Sequence, residues 1–340
     1  MNALMMPENR TKVEAAYYEK MPDGKVRCRL CPHDCLIAEG KCGICRIRAN
    51  EKGTLLAQGY GECTSLSMDP IEKKPLYHFH PGKEILSTGP NGCNLTCRFC
   101  QNWTISQEES DTAYVAPEDL VALAGKRGSI GISYTYAEPM IWFEYLREAG
   151  RLAHQAGLVN VLVTNGFINP EPLQELLPVV DAMNIDLKAS AEGFYRKMCG
   201  ARLDPVLETI KASYKKCHLE LTNLIIPTLN DSEEDLDRLI AWVADLGVEV
   251  PLHFSRYFPH HKLDLPPTPE STLMRAYEKA RKRLRYGYLG NLHVVGTSDT
   301  FCYQCQALWV KRRGYQTRVV GLSGGKCLSC GARADFIGVP

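Results

Sequence analysis

Cys93, Cys97 and Cys100 lie together in the stretch GCNLTCRFC at residues 92–100. Their spacing, C-x3-C-x2-C, offers three thiolates, one fewer than the four that an electron-carrying [4Fe–4S] cluster takes. Three thiolates leave one iron open, and an open iron can bind and activate a small molecule. The other cysteines are also grouped: thirteen of the fifteen fall before Val115 or after Asp299. Cys302-x2-Cys305 and Cys327-x2-Cys330 form two knuckles separated by 21 residues. Four soft ligands in paired C-x2-C turns suit a tetrahedral Zn2+ closed to chemistry, with an iron centre as the alternative. Cys28, Cys31, Cys35, Cys42 and Cys45 make a third group, while Cys63, Cys199 and Cys217 stand alone and read as buried, unligated residues.

The middle of the chain must position these groups. Apolar, β-branched runs predict buried strands over 84–88, 129–134, 160–164, 182–186, 219–226 and 251–256. Helical periodicity fills the gaps over 140–157, 170–179, 206–216 and 232–246, the last opening on Asp231-Ser-Glu-Glu with a cap and early acids. Strands alternating with helices argue for a parallel sheet, whose sites collect at the C-terminal strand ends. The polar residues fall at those ends: Tyr134-Thr-Tyr-Ala-Glu-Pro139, Thr164-Asn-Gly166, Asp186-Leu-Lys188 and Ser255-Arg-Tyr257, with the cysteine loop following the first strand.

Composition sets limits on function. The 340 residues carry a formal net charge of +1, which gives no global drive toward nucleic acid or acidic lipid. One helix is locally basic, with Arg275, Lys279, Arg281, Lys282, Arg283 and Arg285, and such a run is ordinarily a solvated face. No apolar run reaches membrane length, and Met1 to Lys20 lacks the pattern of an export signal. The reading is a cytoplasmic protein whose cysteines are reduced and ligate metal.

The C-x3-C-x-aromatic-C loop, with Phe99 as the aromatic, is the radical S-adenosylmethionine (radical SAM) signature. With PIEKKPLYHFHPG at 70–82, QNWTISQ at 101–107, SYTYAEP at 133–139, VTNG at 163–166, NIDLK at 184–188, LIIP at 224–227 and RCRLCPHDC at 27–35, the chain resembles the AmmeMemoRadiSam system radical SAM enzymes, a group similar to pyruvate formate-lyase activating enzyme. The resemblance implies an α/β fold, a partial (β/α)6 TIM-like barrel of the radical SAM type over 84–298. It implies a cysteine-rich N-terminal extension over 1–83 and a zinc-ribbon-like tail over 299–340. Two stretches depart from the activating enzymes. Val163 stands where they have an Asp, so their cation site is not carried over. Tyr136-Ala-Glu-Pro139 stands where the family has Gly-Gly-Glu-Pro.

The resemblance further implies a [4Fe–4S] cluster on Cys93, Cys97 and Cys100 whose open iron chelates S-adenosylmethionine. Reductive cleavage would give a 5′-deoxyadenosyl radical that abstracts hydrogen from a substrate, under anaerobic conditions. Glu138 would accept from the cosubstrate's amino group and Phe99 would pack by its adenine. Thr164 and Asn165 would bond its polar edges, and Asp186 and Lys188 its carboxylate or ribose. Each of these last four also reads as a strand-end cap or a solvated charge. Cys28, Cys31, Cys35 and Cys45 match family cysteines and would hold Zn2+ or an auxiliary iron–sulfur cluster, with Cys42 an extra. Implied partners are an electron donor such as flavodoxin or ferredoxin, and a glycyl-radical enzyme or Memo- and AMMECR-type proteins. The competing functions are glycyl-radical activation, chemistry on a small molecule, RNA modification and a non-catalytic cluster protein. Neutral charge disfavours nucleic acid.

Overall fold

The computed structural model describes residues 13–339. The first twelve residues of the stretch read as lacking an export signal lie outside them. Seven parallel strands form the central sheet, in the order Glu84–Thr88, Gly131–Tyr134, Val159–Thr164, Ala182–Asp186, His218–Ile225, Leu252–Arg256 and Gly287–Gly290. Leu66–Pro70 adds an antiparallel edge beside Glu84–Thr88. Each parallel strand lies beside its sequence neighbour, which is the outcome of one helical crossover after another. The helices pack back on the sheet through Leu120, Leu146, Leu173, Val206, Leu239 and Leu273, all fully buried. Among the described residues no helix is long and apolar enough to cross a membrane.

The count of six parallel strands is corrected to seven. Gly287–Gly290 is four residues long and glycine at both ends, so it carries little apolar pattern. Its first glycine packs closely on the last helix, where a Cβ would sit 3.3 Å from that of Ala280. Leu66–Pro70 holds Ser67, Asp69 and a proline, which fits an edge strand and hides it from a pattern search. The helix expected over 140–157 opens with a 3-10 turn at Pro139–Trp142 and runs as Phe143–Gln155. Ser232 caps Glu233–Leu246 by accepting from the N–H of Asp235 at 3.1 Å.

The N-terminal stretch shares the main core. Val26, Ile37 and Leu55 belong to the same buried cluster as Leu86, Ile132 and Leu162 of the sheet. A buried ion pair joins the two: Arg48 meets Glu144 at 2.9 Å, and Glu144 also accepts from the N–H of Ala16 at 2.7 Å. The tail has its own small core, built on Trp309, Val310, Cys302 and Cys327 against Tyr286 and Tyr288. The stretch at 70–82 is the seam between tail and sheet. His80 N–H donates to Ile337 O at 2.8 Å, Ile337 N–H to His78 O at 2.9 Å, and the Arg312 guanidinium to Tyr77 O at 2.7 Å.

Removing one partner of a buried ion pair leaves the other charge uncompensated, at a cost of about 3–5 kcal/mol. Glu144→Ala should lower the urea midpoint accordingly. Glu148→Ala, whose carboxylate meets the Tyr60 hydroxyl at an exposed site, should cost less than about 1 kcal/mol.

Candidate active site

The cysteine loop leaves the first parallel strand at Gly89, where a Cβ would lie 1.9 Å from Thr135 O, and passes Gly92, where one would lie 2.4 Å from Cys45 O. Only glycine allows so close an approach. The loop has no ladder of its own, so its backbone bonds elsewhere. Thr96 N–H donates to Cys199 O and Arg98 N–H to Met198 O, both at 2.9 Å, while Arg98 O accepts from Lys262 N–H at 2.9 Å. Gln107 holds Cys97 O at 3.0 Å. Donors also face the sulfurs: Leu95 N–H lies 3.3 Å from Cys93 Sγ, and the Ser106 hydroxyl 3.1 Å from Cys100 Sγ.

All three thiols line one cavity of about 650 Å3 at the C-terminal ends of the strands. Phe99, Glu138, Thr164, Asn165, Asp186 and Lys188 line it too, so the six residues expected to bind the cosubstrate share one chamber with the cysteines. Glu138 sits 2% exposed at its centre. Its Oε1 accepts from Met140 N–H at 2.9 Å and the Thr164 hydroxyl at 2.7 Å, and its Oε2 from Asn165 N–H at 2.8 Å. A carboxylate has about four acceptor sites, so one remains for an incoming amine. Burial pushes Glu138 up to about 7, against those three donors. Thr164 and Asn165 therefore orient Glu138 as well as facing the chamber. Asn165 also donates to Asn94 Oδ1 at 2.9 Å, and Asn94 in turn to Phe167 O at 2.7 Å, which fixes the loop beside Cys93.

Asp186 and Lys188 pair with each other at 2.9 Å, and the Lys188 ammonium stands 5.9 Å over the Phe99 ring. Burial opposes its charge, yet Asp186 and the thiols of Cys97 and Cys199 hold its pKa well above the usual lysine range. An ammonium so placed offsets negative charge gathered on the loop. Cys199 is the residue that sequence reasoning passed over. It is buried as expected, but its thiol donates to Cys97 and lowers the Cys97 pKa. No spacing rule links positions so far apart in the chain. Of the opposite wall only Ser255 was expected at the strand ends; Lys73, Lys74, Tyr77, His253 and Asn291, with Tyr315 reaching over from the tail, were not. His253 Nε2 lies 2.6 Å from Glu220, which also binds His218 at 2.9 Å.

Tyr136 occupies the left-handed region at φ 69°, where the family has glycine. Its hydroxyl donates to Asp69 at 2.5 Å and its carbonyl accepts from Asn102 at 2.7 Å. Asp69 also binds Lys73 at 2.7 Å and Lys74 at 2.6 Å. Outside the chamber, the basic helix is largely self-neutralised, with Arg275 on Glu233, Lys279 on Glu233 and Asp237, and Arg285 on Asp335.

In the tail, Cys302, Cys305, Cys327 and Cys330 bring their sulfurs all within 4.8 Å of one another, with pairs at 3.6 and 3.7 Å. A tetrahedral ion with metal–sulfur bonds near 2.3 Å places its thiolates about 3.8 Å apart, so the quartet fits a single ion.

The Radical SAM superfamily pattern matches residues 88–243. An uncharacterised protein of Methanocaldococcus jannaschii is 45% identical over 333 residues, covering 95% of this chain and 99% of that protein. The chain belongs to the radical SAM superfamily. Pyruvate formate-lyase 1-activating enzyme of Escherichia coli is 23% identical over 180 residues, 51% of this chain and 72% of that enzyme. Among solved structures, Streptococcus suis SuiB bound to S-adenosylmethionine superposes with a TM-score of 0.50 at 13% identity, over 63% of this chain and 50% of that one, a likeness of fold. Membership brings a [4Fe–4S] cluster and S-adenosylmethionine, and the three chamber-facing thiols with their N–H and hydroxyl donors fit that cluster.

Burial pushes Asp69 up, but hydrogen bonds from Lys73, Lys74 and Tyr136 outweigh it and hold its carboxyl well below the usual range. A carboxylate depressed in the folded state stabilises above its unfolded pKa of about 4, and that contribution is lost as pH falls through the depressed value. The urea midpoint should therefore drop between pH 7 and pH 3, and Asp69→Asn should flatten that drop while lowering the midpoint at pH 7.

Proposed function

We propose that this radical SAM enzyme abstracts hydrogen from a small polar molecule held between the cysteine loop and the Lys74–His253 wall. The observation that carries this reading is the chamber itself. It has thiols and Glu138 at one end, ionisable groups at the other, and Tyr315 of the tail across part of its mouth. A chamber of about 650 Å3 is in the range of small-molecule sites.

When bound at Cys93, Cys97 and Cys100, the cluster supplies one electron from a low-potential donor such as flavodoxin or ferredoxin, which breaks the sulfonium carbon–sulfur bond to give methionine and a 5′-deoxyadenosyl radical. The chain's own residues do the rest. Glu138 takes the cosubstrate's amine in its free acceptor site, held in place by Thr164 and Asn165. Phe99 packs against the adenine, and Asp186 and Lys188 meet the ribose and carboxylate. Lys74, His253 and Ser255 orient the substrate. The tail quartet holds a structural Zn2+ that keeps Tyr315 in place. Fifteen free cysteines accord with a reducing cytoplasm, and Memo- and AMMECR-type proteins are the partners the resemblance suggests.

A second reading, activation of a glycyl-radical enzyme, is favoured by the 23% identity to pyruvate formate-lyase 1-activating enzyme. The two readings part in one anaerobic experiment. The reduced protein with S-adenosylmethionine is mixed separately with the ultrafiltrate and the protein fraction of a cell extract, and 5′-deoxyadenosine is quantified. The expected outcome is release stimulated by the ultrafiltrate and reduced to the blank in Cys93→Ala. Stimulation by the protein fraction, with a new glycyl radical signal on one of its proteins, would establish the second reading instead.

A further inference from the structure

The two cysteine quartets of this chain are built differently. The tail quartet closes to single-ion spacing. Among the described residues it is the only set of three or more metal-ligating side chains whose ligand atoms all lie within 4.8 Å of one another. Cys28, Cys31, Cys35 and Cys45 do not close in this way. They stand around a separate small cavity walled by apolar side chains such as Leu30, Ile37 and Ile141, with His33, Arg48 and Asn94 as its other polar groups. Cys42 is exposed and does not line it.

One further feature of that cavity points to an anionic occupant. Arg48 lines it and is 1% exposed. Its NH1 and NH2 groups are engaged by Glu144 and Ala16 O, but its Nε–H is buried without a hydrogen-bond partner. A buried guanidinium donor left open is costly, because it has given up its water without gaining an acceptor. A sulfide or thiolate of a cluster would satisfy it.

We infer that Cys28, Cys31, Cys35 and Cys45 hold a second [4Fe–4S] cluster, with all four irons ligated by protein. A single tetrahedral ion draws its sulfurs to about 3.8 Å. A four-iron core puts each sulfur on a different iron and holds them wider, as this cavity does. The second cluster would stand directly behind the catalytic loop. Asn94, next to Cys93, lines this cavity as well, and His33 Nε2 meets Asn94 O at 2.6 Å. Cys45 O presses on Gly92 from the same side. Chain neighbours Cys93 and Asn94 thus line the two sites in turn, and a fully ligated cluster there is placed to exchange single electrons with the catalytic one.

The test is metal analysis and electron paramagnetic resonance on anaerobically isolated full-length protein. The samples are the wild type, the triple variant Cys93→Ala, Cys97→Ala, Cys100→Ala, and the single variant Cys31→Ser. The wild type should hold about eight irons and the triple variant about four. After dithionite reduction the triple variant should give a cluster signal unmoved by S-adenosylmethionine. The wild-type spectrum should be broadened by coupling between two neighbouring paramagnets. Cys31→Ser should lose about half of the iron and that broadening, while its remaining signal still shifts with S-adenosylmethionine. Two zinc ions per chain, with no iron left in the triple variant, would overturn the inference and leave the catalytic assignment intact. A wild type with about four irons, all lost in the triple variant and none in Cys31→Ser, would overturn it equally. Iron unchanged in the triple variant and abolished in Cys31→Ser would instead overturn the assignment of the catalytic loop.

Discussion

A loop without regular structure must present three sulfurs to one chamber, and the molecule is arranged around that requirement. A buried loop carries backbone groups that need partners, and an unpaired one costs as much as a lost hydrogen bond. Here the partners come from two places distant in sequence, Met198 with Cys199 and Lys262, and from Gln107 just beyond the loop. The loop is thus stitched like a strand between segments that belong to different crossovers. Its two glycines at 89 and 92 let it pass under Thr135 and beside Cys45 with no room for a side chain. The N-terminal stretch is consequently part of the site's foundation, because Cys45 O approaches the loop at Gly92 and His33 meets Asn94 O from behind.

The opposite wall of the chamber depends on the tail. Residues 73–77 would be an unsupported excursion from the sheet edge. Arg312 binds Tyr77 O and stacks 4.3 Å over its ring, and 335–337 pairs with His78 and His80. Glu220, fully buried, ties three further groups together: His78 N–H, His218 and His253. Its carboxyl is held well below the usual range because, although burial raises it, both imidazoles donate to it. A metal knuckle in the tail would therefore act on the chamber through packing, by holding Arg312 and Tyr315 where they are.

What the sequence made legible follows from how local each signal is. The three cysteines, the Thr-Asn-Gly turn and Glu138 are strand-end residues of a parallel sheet, and the rule that sites gather there brought them together without coordinates. The apolar runs gave six of the seven parallel strands, because a strand buried on both faces reads as a continuous apolar stretch. The seventh strand, short and glycine-bounded, has no such stretch. Asn94 and Cys199 were invisible for another reason. Their roles lie in contacts across 71 residues to Asn165, and from Cys199 to Cys97, and composition encodes neither. His78, in one of the stretches that carry the resemblance, is fully buried with one nitrogen at Asp335 O and the other at the Tyr288 hydroxyl.

The departure at Tyr136 shows how a local rule can be broken and repaired in one place. A residue with a Cβ in the left-handed region carries strain on the order of 1–3 kcal/mol. Glycine avoids that strain and leaves the chamber wall bare. Tyrosine accepts it and is held by three contacts: its hydroxyl on Asp69, its carbonyl on Asn102, and its ring 4.7 Å beneath the Lys74 ammonium. The Asp69 carboxylate is thereby shared by Tyr136, Lys73 and Lys74, which couples the backbone just before Glu138 to the charged wall of the chamber. Of the stretches that set this chain apart from the activating enzymes, this one reaches both Glu138 and the Lys73–Lys74 pair. A difference in what the chamber admits is therefore most economically built here, where one ring fills the space a glycine leaves open.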